Sequence, residues 1–261
     1  RSGRIILIGA VCIYIGILIL APIGALLAGT FKKGLQPVVE ALSSADFLGS
    51  FRLTLEISII VAMVQLVLGT LMAWILVRHD FKGRSLLNGM IDIPFALSPV
   101  VVGFMLLLLF GRNSFLGPIL NAAGIRIAFA VPGMVLATLF VTLPIMIREM
   151  IPVIRTLDRS QELAASTLGA SGWTVFRRIT LPALRTALIY GTTLTLARAL
   201  GEFGAILVIG GGIQGRTETT TLYIFRALEE RQYSAAYAAA LVIGLITVSL
   251  VTISDWIRHR K

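Results

Sequence analysis

The chain has 261 residues, 57% of them hydrophobic and 14% charged, with 23 Lys and Arg against 13 Asp and Glu and a net charge of +10. Soluble domains carry roughly 45–50% apolar and about 25% charged residues, so this composition excludes disorder, a disulfide scaffold and a nucleic-acid-binding arm, and argues against a soluble enzyme. With a mean hydropathy of +0.91, the apolar excess has to be placed before the charge can be interpreted.

A bilayer core about 30 Å thick takes about 20 apolar residues of helix. Residues 5–31 carry no charge and give a first span over 5–30. Arg1 and Arg4 precede it as they would in a secretory leader. The apolar run is longer than the roughly 7–15 residues of a leader core, and no Ala-x-Ala site follows, so the span reads as a retained helix. Charge-poor stretches predict further spans at 54–77, 91–111 and 127–148. A fifth, 186–210, is interrupted only by Arg198 and Glu202, and a sixth covers 233–256. The expected fold is an all-α polytopic membrane protein, a single transmembrane domain over 1–261 with six spans.

Span three opens with Asp92 and carries Pro94 and Pro99, with Ser98 between the bends they impose. Such breaks are tolerated where a helix lines a cavity or packs on protein, and Ser98 and Pro99 fit either a pathway or a kinked packing helix. In span five, Arg198 and Glu202 at i, i+4 share a helical face. They form either an ion pair that fixes the helix in the bundle or an anion path in which Arg198 meets an oxyanion. Gly201 and Gly204 beside them would let a neighbouring helix approach closely. Gly210, Gly211 and Gly212 suit a tight turn or a close helix approach at the far end of this span.

Sorted by segment, thirteen Lys and Arg lie in the two termini and loops two and four, and eight lie in the other loops. The positive-inside rule therefore puts both termini and loops two and four in the cytoplasm. Arg112, Asn113, Arg126, Arg216 and Thr217 then face outward as candidate contacts for a soluble partner, and Glu56 sits hydrated near the outer end of span two. Of the two basic residues left over, Arg185 and Arg198, only Arg198 is a candidate direct anion contact. Cys12 lies within span one, and His79 and His259 lie at span ends with no carboxylate or Cys cluster nearby, so no metal site is expected. No P-loop, zinc-protease or nucleophile-elbow motif occurs. The chain is expected to be non-catalytic and cofactor-free, and an ATP-driven role would need a separate ATPase.

Loop four, about 149–182, carries a helix signal. Asp158 can cap it, with Gln161 as capping-box partner, and Gly169 suits the position just past its end. Leu163, Ala164, Thr167 and Leu168 form an apolar stripe. Ser171 can cap a following helix that Pro182 should interrupt near the membrane. The stripe fits either a groove on a partner or the membrane surface.

Ala164-Ala165, Gly169 four residues on, and Ile179-x-Leu181-Pro182 match the spacing of the EAA loop, and the chain resembles ABC-importer permeases. The family's Glu falls on Leu163, while Glu162 stands one residue earlier. The resemblance implies that Glu162, Leu163, Ala164, Ala165, Leu168, Gly169 and Ala170 belong to a helix that docks in a cleft of an ATPase. The run Ala197-Arg198-Ala199-Leu200-Gly201-Glu202-Phe203-Gly204-Ala205 is similar to permeases for tetrahedral oxyanions, sulfate and molybdate/tungstate together. The stretches Ile91-Asp92-Ile93-Pro94-Phe95-Ala96-Leu97-Ser98-Pro99 and Leu168-Gly169-Ala170-Ser171-Gly172-Trp173 resemble the sulfate/thiosulfate, CysW-like branch. That branch implies a MetI-like, type I importer core in a bacterial inner membrane. It also implies a second, CysT-like permease subunit, a pair of CysA-like ATPases and a periplasmic sulfate-binding protein. Sulfate or thiosulfate import is the expected function, with molybdate or tungstate as the alternative substrate. A stand-alone secondary anion transporter is the rival class; it predicts an internal repeat, which the sequence lacks.

Overall fold

Four helices in the computed structural model, which describes residues 2–259, are long and apolar enough to cross a bilayer unbroken. They are α1 (Ser2–Phe31), α3 (Ala45–Arg78), α8 (Val131–Thr156) and α14 (Tyr233–His259). Arg1, Arg260 and Lys261 lie outside the described residues, as does the His259 side chain. A short α2 (Gln36–Ser43) separates α1 from α3.

Two bent helix pairs are each long and apolar enough, taken together, to count as a further candidate span. After α4 (Arg84–Met90), α5 (Ile93–Ala96) gives way to α6 (Pro99–Phe110), and the two limbs of this span meet at 111°. Pro94 and Pro99 each stand in the first turn of a new helix, where a missing N–H costs nothing. The other broken span ends its long limb at α11 (Leu181–Leu200) and resumes as α12 (Gly204–Gly210) after a 59° bend. Here the sequence suggested one continuous helix over 186–210, because a single acid at Glu202 is too short an interruption to end an apolar run.

The remaining elements are α7 (Gly117–Ala122), α9 (Arg159–Thr167), α10 (Gly172–Val175) and α13 (Thr220–Glu229). Pro182 does not interrupt its helix as expected. A π-helical turn, Phe176–Thr180, joins α10 to α11, with Leu181 N–H donating to the Phe176 carbonyl. The wider turn makes room for a proline ring directly after it and frees the carbonyl that Pro182 could not have satisfied. Arg52 also differs from expectation. Ser44 caps α3 by accepting from Phe47 N–H, so the helix starts well before the apolar run and Arg52 sits within it, paired to Glu56 at 2.7 Å.

The core is the packing of α3, α8 and α11 on one another. Met146 of α8 is fully buried, and Gly69 of α3 and Gly191 of α11 both present bare backbone to its side chain. Small residues permit this approach where lipid provides no hydrophobic drive. One apolar cluster, including Ile57, Met134, Val141 and Ile206, fills the half nearer α12. A second, including Leu76, Ile147, Met150 and Leu184, fills the half nearer α9. Helix α1 packs on α14, where Gly29 faces the Tyr237 ring and Thr30 is buried, while most of its apolar stretch is left uncovered.

The two broken spans pack against each other through α6 and α12. A methyl group on Gly103 of α6 would lie 2.6 Å from the Ala205 carbonyl oxygen, which is backbone and cannot yield. Gly103→Ala should therefore lower stability by about 1–3 kcal/mol. Thermal unfolding in detergent will test this, with Gly89→Ala in α4, where the space is open, expected to leave the transition in place.

Candidate functional site

The candidate site residues gather in two places. The first is α9. Asp158 caps it, accepting from Ser160 N–H at 2.8 Å and from Ser160 Oγ at 2.6 Å. These bonds to Ser160 hold the Asp158 carboxyl below the usual carboxylate value. Both bonds are donated by Ser160 to the Asp158 side chain; neither is the reciprocal bond to the Asp158 N–H that the sequence suggested for Gln161. The helix closes as anticipated: Gly169, at φ +84°, donates to Ser166 O, and Ala170 N–H reaches back to Ala165 O at 3.0 Å. That double closure requires a left-handed residue at position 169, which glycine adopts freely. Ser171 then caps α10.

The face of α9 that looks away from the bundle is apolar and uncovered. Leu163 is 65% exposed, Leu168 89% and Trp173, stacked on Phe176, 69%. Ala164 is also exposed, and Ala165 is half-buried.

Glu162 points the other way. Its Oε1 accepts from Arg78 Nη2 at 3.2 Å and from Thr180 Oγ1 at 2.9 Å. Arg78 is the last residue of α3, nearly buried, with its guanidinium 4.9 Å over the Trp74 ring. Thr180 lies in the π-helical turn. One carboxylate thus joins α9 to the ends of two core helices. The offset of Glu162 from the family position has a structural consequence: Glu162 faces inward and Leu163 faces outward. Neither Arg78 nor Thr180 was identifiable from sequence, because Arg78 is 84 positions from Glu162 and looks like an ordinary basic residue at a span end.

A second clamp lies nearby. Arg148 Nε donates to Asp92 Oδ1 at 2.9 Å, and its Nη groups reach Asn88, tying α8 to the α4–α5 corner.

The second place is where the two breaks meet. Gly204, at the start of α12, lies against Pro99 and Val100, at the start of α6. Ser98 is exposed beside this contact and holds the extended backbone between α5 and α6. Glu202 is buried in the gap between α11 and α12. Its Oε1 accepts from Ala205 N–H at 3.1 Å, capping α12, and its Oε2 faces Arg198 Nη1 at 2.8 Å. The pair expected on one helical face therefore forms across a helix end, with Glu202 serving both the charge and the cap. Thr221 Oγ1 donates to the Glu202 carbonyl. Gly201 is exposed with no neighbouring helix against it, so the close approach expected of the glycine pair is made by Gly204 alone.

At the end of α8 opposite α9, Thr217 is buried rather than outward-facing. Its hydroxyl donates to Gly210 O and accepts from Ile213 N–H, holding the turn formed by Gly211 and Gly212. Close by, Arg226 pairs with Glu218, Glu230 and Asp46. The hydrogen bonds that Arg226 donates to Glu218 keep its guanidinium protonated well beyond its ordinary range.

Apolar spans, two breaks meeting within the helix bundle and an uncovered helix at one end define a polytopic transport permease built to work with another subunit. The chain belongs to the family described as binding-protein-dependent transport system inner membrane component, which matches residues 65–260. It is 43% identical to the sulfate transport system permease protein CysW of Escherichia coli K12, over 97% of this chain and 88% of that protein. It is 43% identical to the chloroplastic sulfate permease 2 of Chlamydomonas reinhardtii, over 96% of this chain and 68% of that protein. The Escherichia coli K12 protein CysT is 36% identical over 92% of this chain and 87% of its own length. Among solved structures, a bacterial ABC transporter that imports the acidic polysaccharide alginate superposes with a TM-score of 0.79 at 19% identity, covering 98% of this chain and 94% of that one. That likeness establishes the fold.

Replacing Glu162 by Ala strands the nearly buried Arg78 guanidinium, at a cost of about 1–3 kcal/mol. Amide hydrogen exchange across α9 should quicken. The reversed pair, Arg78→Glu with Glu162→Arg, should recover much of the protection if the ion pair anchors the helix.

Proposed function

We propose that this chain is a membrane-spanning permease subunit of an ATP-driven importer for sulfate or thiosulfate, forming half of the translocation path. The uncovered apolar face of α9 carries the reading. A short, capped helix with Leu163 and Leu168 presented outward is shaped to dock in a groove, and its base is pinned to α3 and α11 through Glu162. The docking partner is a separate ATPase, present as a pair, and the other half of the path comes from a second permease subunit related to CysT. An extracytoplasmic sulfate-binding protein delivers the anion. Sulfate is favoured over molybdate or tungstate by relatives at 40–43% identity that carry the sulfate name.

The basic residues set the orientation: both termini and α9 on the cytoplasmic side, the loops around α7 and α13 outside. The junction of Ser98, Pro99, Arg198, Gly201 and Glu202 lines the path at membrane depth. When ATP closes the ATPase pair, α9 moves with its groove and carries the ends of α3 and α11, and the bent spans re-orient about their breaks.

Reconstitution in proteoliposomes with the ATPase, the partner permease and the binding protein should give ATP-dependent sulfate uptake. Gly169→Arg, which strains the closure of α9 and adds bulk beside its docking face, should abolish uptake. Uptake that persists without the ATPase would overturn the subunit reading, and uptake of molybdate in place of sulfate would move the substrate.

The role of Arg198 can be separated from that of its pair. Arg198→Gln alone leaves Glu202 buried without a counter-charge and should lower both stability and uptake. In the double variant Arg198→Gln, Glu202→Gln the folding defect should be relieved. Uptake still reduced in that variant means that Arg198 meets the anion, and restored uptake means that it serves only the pair.

A further inference from the structure

Loop three, between α6 and α8, encloses a cavity of about 550 Å³ lined by residues that include Arg112 and Arg126. Neither arginine has a carboxylate in ion-pair reach or a hydrogen-bond partner among the described residues. The sequence explains why: no Asp or Glu occurs between Asp92 and Glu149. The neighbouring cavity at the same end of the molecule is different. It is also lined by arginines, Arg52 and Arg216, but Asp46, Glu56 and Glu218 share its wall, and Arg52 is paired with Glu56. One concavity thus has three acids beside its two arginines, and the other has two arginines and no acid in its lining.

Guanidinium groups converging on a concave site create a positive potential and offer paired N–H donors matched to the oxygens of a tetrahedral anion. The volume admits such an anion with its water, at about 30 Å³ per water molecule. We propose that the loop-three cavity binds a tetrahedral oxyanion through Arg112 and Arg126. Two sources share this chemistry. One is free sulfate, for which the cavity would be a collecting site on the permease itself. The other is the phosphate of an anionic lipid, since Phe115 (84% exposed) and Ile119 (66% exposed) beside the cavity are apolar enough to sit at headgroup level. The position outside the membrane rests on the orientation proposed above, but anion binding does not.

The test uses the full chain assembled with its permease partner and ATPase in nanodiscs, without the binding protein. In nanodiscs of phosphatidylcholine alone, equilibrium binding of radiolabelled sulfate should be saturable, and Arg112→Gln with Arg126→Gln should weaken it about tenfold or more. Arg112→Lys with Arg126→Lys keeps the charge and should retain part of the binding. An unchanged unfolding transition in both variants checks their folding. In nanodiscs containing phosphatidylglycerol, native mass spectrometry should detect retained lipid that depends on both arginines if lipid phosphate is the occupant, and this lipid should compete with sulfate. If neither anion depends on the two arginines, the proposal is overturned. If the double Gln variant loses only its association with the binding protein, the cavity is instead a protein contact and the proposal is likewise overturned. Failure here leaves ATP-driven uptake intact, so it is distinguishable from failure of the importer reading.

Discussion

Inside hydrocarbon, a backbone N–H or C=O without a partner costs several kcal/mol, and two apolar helix pairs of this chain are bent at a break between their limbs. The rest of the structure follows from how those breaks are satisfied. Between α11 and α12 the Glu202 carboxylate supplies the missing acceptor for Ala205 N–H, and the Thr221 hydroxyl supplies a donor for the Glu202 carbonyl. A carboxylate at that depth must be neutralised, which explains Arg198 one turn earlier. Between α5 and α6 the solution is different: Pro94 and Pro99 begin new helices with no N–H to satisfy. Packing Gly204 onto Pro99 and Val100 then brings the two breaks into contact. The bends are thus stable features of the fold, and they place flexible geometry where two spans touch.

A second network links α9 to the helix bundle. Glu162 holds Arg78 at the end of α3 and Thr180 at the foot of α11. A displacement of α9 must carry both helix ends with it or break a partly buried ion pair, and the second course is the more costly. Helix α11 leads to the Glu202 break, and α3 packs along α8. The π-helical turn at the foot of α11 gives that connection a wider, less regular hydrogen-bonded segment, which suits a point that bends.

The parts of this arrangement that depend on neighbouring residues were legible in the sequence. Apolar runs located the spans, and Asp158, Ser171 and Gly169 announced the ends of α9 and α10 through local capping chemistry. Contacts between distant residues were not legible. Nothing near Glu162 points to Arg78, and nothing near Gly204 points to Pro99. The break at residues 201–203 shows in the sequence only as Glu202, and a single acid in a span suggests a pathway as readily as a cap. Pro182 misled for the opposite reason. A proline is a strong local signal, but a π-helical turn just before it absorbs the lost hydrogen bond. Thr217, placed outward by its loop, is buried because its hydroxyl satisfies a glycine turn.

Charge shows the same division. Under the orientation proposed, much of the +10 is a topology signal. Arg198 was the residue left over as an anion contact, and in the folded chain its charge is matched by Glu202. Arg226, in an outer loop by the orientation proposed, is matched by Glu218, Glu230 and Asp46. Arg78 and Arg148 are matched by Glu162 and Asp92. The arginines without a partner are therefore the informative ones, and two of them, Arg112 and Arg126, line one cavity in a stretch of chain free of acidic residues. A permease that receives its anion from a binding protein gains little from a strong site at membrane depth, where tight binding would hold the anion in transit. A weak, hydrated, cationic site at the mouth raises the local anion concentration without trapping the anion, and uncompensated guanidinium groups near solvent supply that balance.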